Sequence, residues 1–228
     1  YQREGVHIGD VGILNEFGGF EYLFDACHPA AHPLNVGRVP ENFKLLEIDH
    51  SHTEESPQEF GLGSHVASKY SRIRKARISG QPQIPGVPDE VGAGLSFISP
   101  NTEGAVLVLP EGGKRSDHQQ YLKFYQYAEE CARSWYDYVN GPKLARGVHN
   151  GSIYLVTGYD KARAWGVASF VDADPGSVSL EFVPKAPNST GPPKYWFSRD
   201  DFTSSSSDAD ENGNQSGCVF LRGFKIAV

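Results

Sequence analysis

Apolar residues in this chain come in short bursts divided by turn formers, and one later stretch repeats at helical spacing. In the N-terminal third, residues 6–14, 20–24 after Gly18-Gly19, and 43–48 after Pro40 read as strands. From 54 to 94 the pattern fades, because Pro57, Gly61, Gly63, Gly80, Pro82, Pro85, Gly86 and Pro88 interrupt any long element. That segment is expected to be a long irregular loop or a hinge. Residues 95–99 and 105–109 then predict a hairpin, the second run continuous enough for a buried strand.

Ser116 followed by Gln119 makes a capping-box pattern, and Tyr121, Tyr125, Ala128, Ala132, Trp135 and Val139 recur at helical spacing until Asn140-Gly141-Pro142 ends the run. A helix over 117–140 is predicted, its aromatic face turned to the core. Runs at 153–157, 165–170, 178–183 and 195–197, parted by Gly, Pro, Asp or Asn, carry the signature of a meander. Residues 203–217 hold Ala209 as their one apolar side chain and predict a solvated loop before a last strand at 218–228. The fold class that follows is α+β and β-rich: an antiparallel sandwich or barrel-like core with one long amphipathic helix, as a single module over 1–228.

Composition sharpens this picture in a few places. A formal charge of -7 makes nucleic acid an unlikely partner, because phosphate binding rests on clustered cations. The exception is local: Lys69, Arg72, Arg74, Lys75 and Arg77 crowd one run, which reads as a solvated face or a phosphate-tracking patch. Cys27, Cys131 and Cys218 are far apart and show no C-x-x-C spacing, which fits a reducing compartment and a cytoplasmic location. Acceptor tripeptides at Asn150, Asn188 and Asn214 keep secretion as the alternative. No run approaches the ~20 apolar residues of a membrane span.

Three constellations could carry chemistry. His50 and His52, in a strand, would face one side and with His65 offer a divalent-metal site, with Cys27, His28 or Glu54 as further donors; polar loop histidines are the plainer account. Gly112, Gly113, Lys114 and Arg115, between an apolar run and the helix, would form an anion-binding turn at a helix N-terminus, although the P-loop spacing fails at Val108 and Arg115. Tyr154, Tyr159, Trp165, Tyr195 and Trp196 could line a carbohydrate or peptide groove, or pack in the core.

The phrases GDVGILNEFGGFEYLFDAC, EGAVLVLPEGGKRSD, SWYDYVNGP, NGSIYLVTGYDKARAWGVASF and CVFLRGFKIAV resemble a group of proteins from mushroom-forming (agaricomycete) fungi, over about residues 9–228. No activity is established for that group. The resemblance implies an intracellular fungal module, found alone or ahead of signalling-type architectures, and no site residues. The functional expectation is a non-enzymatic binding or sensor module for a protein or small-molecule ligand. A metal-dependent hydrolase using the histidines and a secreted carbohydrate-binding protein are the alternatives.

Overall fold

The computed structural model describes residues 4–15, 18–80, 83–174, 176–185, 192–198, 203–206 and 213–228. Its regular elements are β1 (Asp10–Leu14), β2 (Phe20–Asp25), a 3-10 turn (His50–His52), β3 (Thr53–Phe60), β4 (Ser64–Ala67), β5 (Arg74–Arg77), β6 (Leu95–Ser99), β7 (Gly104–Leu109), β8 (Gly113–His118), α1 (Tyr121–Asn140), β9 (Ile153–Ala162), β10 (Gly166–Phe170), β11 (Val178–Lys185), β12 (Lys194–Phe197), β13 (Thr203–Ser206) and β14 (Gly217–Ile226). The fold is α+β and β-rich, with antiparallel sheets and, among the described residues, one α-helix and no sheet closed into a barrel. No helix among those residues is long and apolar enough to cross a membrane.

The folded chain divides into two compact units. The first comprises 1–56, 115–160 and 220–228, the second 57–114 and 161–219.

In the first unit the sheet order is β2-β1-β9-β8-β3, with β14 also pairing β9. Val11 and Ile13 of β1 alternate toward α1, joined by Ile153 and Leu155 of β9 and by Phe24. The helix answers with Phe124, Tyr127, Ala128, Cys131, Trp135 and Val139. Its buried stripe is therefore rotated from the predicted one: Tyr121 and Tyr125 are 45% and 50% exposed, and Phe124 and Tyr127 take the inward positions. The helix also starts later than predicted. Ser116, the supposed cap, is buried in β8, and Gln120 occupies the N-cap without a side-chain bond. Residues 43–48, predicted as a strand, form no regular element. Three of their apolar side chains still pack on the core, Leu46 buried, Phe43 edge-on to Phe24 and Ile48 partly buried, while Leu45 is exposed.

The second unit is a sandwich of two four-stranded sheets, β13-β10-β7-β4 and β12-β11-β6-β5. Strict alternation in β11 points Val178, Leu180 and Phe182 inward, to meet Val106 and Val108 of β7 and Phe170 of β10. The predicted 95–99/105–109 hairpin does not form: β6 and β7 lie in different sheets, each giving its apolar side to the shared core. The predicted meander survives only as the β11–β12 hairpin. Residues 54–94 hold β3, β4 and β5, and Thr203–Ser206 pair with β10 as β13. β3, β5 and β13 show no apolar period, because none of their side chains is buried in a core.

Candidate functional site

Gly141 and Pro142 end α1, and the chain then folds back beside the helix's last turns. Tyr138 donates its hydroxyl proton to the Arg38 carbonyl at 2.6 Å, fixing the 38–42 segment against the same helix face. Between them lies a cleft of about 580 Å³ in the first unit, lined by Pro40, Glu41, Arg133, Asp137, Tyr138 and Lys143 among others. Its lining carries charges of both signs. Arg133 bonds Asp137 one turn on at 3.1 Å, and the Lys143 ammonium stands 5.4 Å over the Tyr138 ring. Lys44, paired with Glu130 at the rim, keeps its proton more firmly through that hydrogen bond. The walls thus offer a cation, an anion and an aromatic face within one open depression.

A second, enclosed polar cluster sits on the far face of β1 and β2. Asp10 and Asp25 are directly opposite in the antiparallel register, and both are fully buried. Asp25 accepts from the Cys27 backbone N–H at 2.6 Å and from His28 Nδ1 at 2.9 Å. Asp10 accepts from the His7 backbone N–H at 2.7 Å. Asn35, also fully buried, exchanges two 2.8 Å bonds with the Asp25 backbone and donates to the His28 carbonyl, which ties the 26–39 segment over the sheet. Burial first, and then the two aspartates, push the Cys27 thiol far above its ordinary value, so it is no nucleophile. The same burial and charges raise Tyr22. His28, half-exposed, has its Nδ1 held by a buried carboxylate and its ring 4.2 Å from that of His32, tilted by 31°. The pairing orients an imidazole and fixes its tautomer.

The residues singled out from sequence fall elsewhere. His50 and His52 lie on an exposed 3-10 turn rather than in a strand, so period-2 alternation does not put them on one face. His65 belongs to β4 of the second unit, its ring 5.5 Å from Phe97, and burial followed by the Lys75 charge lowers its proton affinity. Among the described residues no group of three or more His, Cys, Asp or Glu side chains is placed to hold a metal ion. Gly112 makes a tight turn at φ +72°, where a Cβ would meet the Phe60 carbonyl. Gly113, Lys114 and Arg115 then enter β8, not a helix N-terminus. Arg115 is engaged with Asp160 at 2.9 and 3.2 Å. The helix that would have supplied free N–H groups begins at Tyr121.

Of the aromatics proposed for a groove, Tyr195 is buried and stacked on Phe182, and Tyr154, Tyr159, Trp165 and Trp196 are half-buried. Lys185 covers Trp196 at 5.4 Å. The Asn150 amide bonds both backbone groups of Val228, Asn214 lies outside any regular element, and Asn188 falls outside the described residues. Sequence reading noted His28 and Cys27 as metal donors but missed Asp10, Asp25 and Asn35, since only the β1–β2 register brings the two aspartates together. The cleft residues Arg133, Asp137 and Lys143 were not singled out from the sequence either, since no spacing ties the end of α1 to the segment around Pro40.

No family model, curated protein or solved structure matches this chain.

Proposed function

We propose that the chain is a non-enzymatic binding module whose first unit takes a small zwitterionic ligand, such as a free amino acid or a peptide terminus, in the cleft beside the end of α1. The observation that carries the reading is the cleft itself. Its volume of about 580 Å³ is in the range of ligand pockets, and Arg133 and Lys143 face a carboxylate while Glu41 and Asp137 face an ammonium group. The resemblance to fungal modules supports an intracellular setting ahead of signalling domains. The hydrolase reading loses its support, because His50 and His52 sit on an exposed turn and His65 in the other unit.

The test is an amide-resolved NMR titration of the whole chain with the twenty free amino acids and with glycylglycine. Saturable shifts confined to residues 40–42, 133–138 and 141–143, lost in Arg133→Ala, are the expected result. A response nowhere in those segments refutes the reading.

A further inference from the structure

The one dense basic run of this acidic chain contains an edge strand. Among the described residues β5 (Arg74–Arg77) pairs only with β6 and ends its sheet, and all four of its residues are exposed. The direction of its free backbone groups follows from the ladder. Ile78 donates to the Gly94 carbonyl, one step beyond the Arg77↔Leu95 pair, so the hydrogen-bonded pairs continue through Ala76↔Ser96 and Arg74↔Ile98. Lys75 and Arg77 therefore turn their N–H and C=O groups to the open edge.

Charge surrounds that edge. Among the described residues Lys69, Arg72, Arg74, Lys75 and Arg77 enter no ion pair; Lys75 donates only to the Gly63 carbonyl, at 3.0 Å, and Lys69 stands over Tyr70, itself 78% exposed. Arg74 shares its face with Ile98, which is 50% exposed, whereas Lys75 and Arg77 lie on the opposite face, opposite Phe97 and Leu95 in register. Edge strands carry such cations to repel copies of themselves, and a second β5 laid alongside would set like charges directly opposite each other. A strand of opposite sign meets no such barrier.

The geometry points to β5 as the docking edge for an extended acidic peptide of a partner protein, added as a further strand beyond β5. Two features favour this occupant over a polyanion. Unpaired backbone donors and acceptors in strand geometry are read by another backbone, not by phosphate. And the net charge of -7 leaves the attraction local, suited to a short acidic segment rather than a long chain of phosphates. The inference concerns the second unit and stands independently of the cleft.

The test uses the whole chain and three labelled probes followed by fluorescence anisotropy: an octapeptide of alternating Glu and Thr, an octapeptide of alternating Glu and Pro, and a twelve-nucleotide single-stranded RNA. The Glu–Pro peptide keeps the charge and removes half of the backbone donors. Expected is saturable binding of the Glu–Thr peptide, at least about tenfold weaker for Glu–Pro and for RNA, the ~1.4 kcal/mol that separates strand pairing from charge alone. Arg77→Gln should weaken the Glu–Thr peptide roughly threefold or more through charge. Arg77→Pro should abolish binding, because it also removes an outward N–H while leaving the β5–β6 bonds intact. Equal affinity for the two peptides, tighter binding of RNA, or no binding of the Glu–Thr peptide overturns the proposal. If Arg77→Pro lowers the unfolding midpoint, the two-peptide comparison on the unaltered chain still decides.

Discussion

Replacing Asp160 by asparagine should cost the first unit about 2–3 kcal/mol, and the figure follows from the strands that surround it. Asp160 lies on β9, flanked by Arg115 on β8 and Arg222 on β14, two of the strands that pair with β9. Its carboxylate, 1% exposed, accepts from Arg115 at 2.9 and 3.2 Å and from Arg222 at 2.8 Å, while Arg222 also binds Asp117. Three bonds to a charged group at ~1.5–3 kcal/mol each set an upper bound. Two effects bring it down: asparagine keeps one acceptor oxygen, and the guanidiniums, with 36% and 32% of their side-chain area in water, are resolvated when the charge goes. A 2–3 kcal/mol loss lowers the unfolding midpoint by roughly 5–10 °C in a chain of this size.

Urea unfolding followed by tryptophan fluorescence reads the effect, since Trp135 is buried in the same unit. The pH dependence supplies an independent check. Burial alone would raise the Asp160 carboxyl, but the hydrogen bonds and charges of Arg115 and Arg222 outweigh it and hold the group below the usual carboxylate range. A depressed folded-state value adds stability that is complete above the unfolded value of ~3.9 and is lost as pH falls through the folded one. The difference between the parent and Asp160→Asn should therefore be full at neutral pH and shrink below about pH 4. A loss under ~0.5 kcal/mol at neutral pH, or a difference unchanged in acid, would refute the reasoning.

Trp135→Ala should destabilise by about 3–5 kcal/mol in the same urea assay, because the indole is 2% exposed and packs edge-on against Phe24 and beside Tyr127. Asn35→Leu should cost roughly 2–3 kcal/mol by leaving the Asp25 backbone N–H and carbonyl unpaired in the interior, and hydrogen exchange should rise first in residues 26–39. His118, fully enclosed between Thr53 and Gln120, is kept neutral mainly by burial. Since the unfolded chain takes up that proton more readily, stability should fall as pH drops below ~6.5, and His118→Phe should flatten that slope. Gly223→Ala should unpair β14 from β9, measured as a drop in unfolding midpoint, because its Cβ would run into the Leu155 carbonyl.

How far the fold was legible depended on whether an element buries a face. β2, β6, β7, β11 and α1 were readable because side chains such as Phe24, Phe97, Val108, Leu180 and Trp135 repeat with the period of the surface they pack on. β5, β8 and β13 were not, since Arg74–Arg77 and Thr203–Ser206 are edge strands held by backbone bonds, and β8 spends its inward positions on Ser116 and His118. Local signals misled where distant partners outweighed them. The Ser116–Gln119 capping pattern lost to the β8 ladder, and the turn between β6 and β7 lost to a core that needed one strand in each sheet.

The class of fold, the existence and end of the helix, and the charge that makes the β5 run stand out could be read from the residues in order, because each is a property of neighbours along the chain. Folding settled the rest: which strands pair, that Asp10 faces Asp25, that Arg115 and Arg222 converge on Asp160, and that a cleft opens beside Tyr138. Those features join residues far apart in sequence, and the free energy that brings them together comes from burying two separate cores, a quantity no local pattern contains.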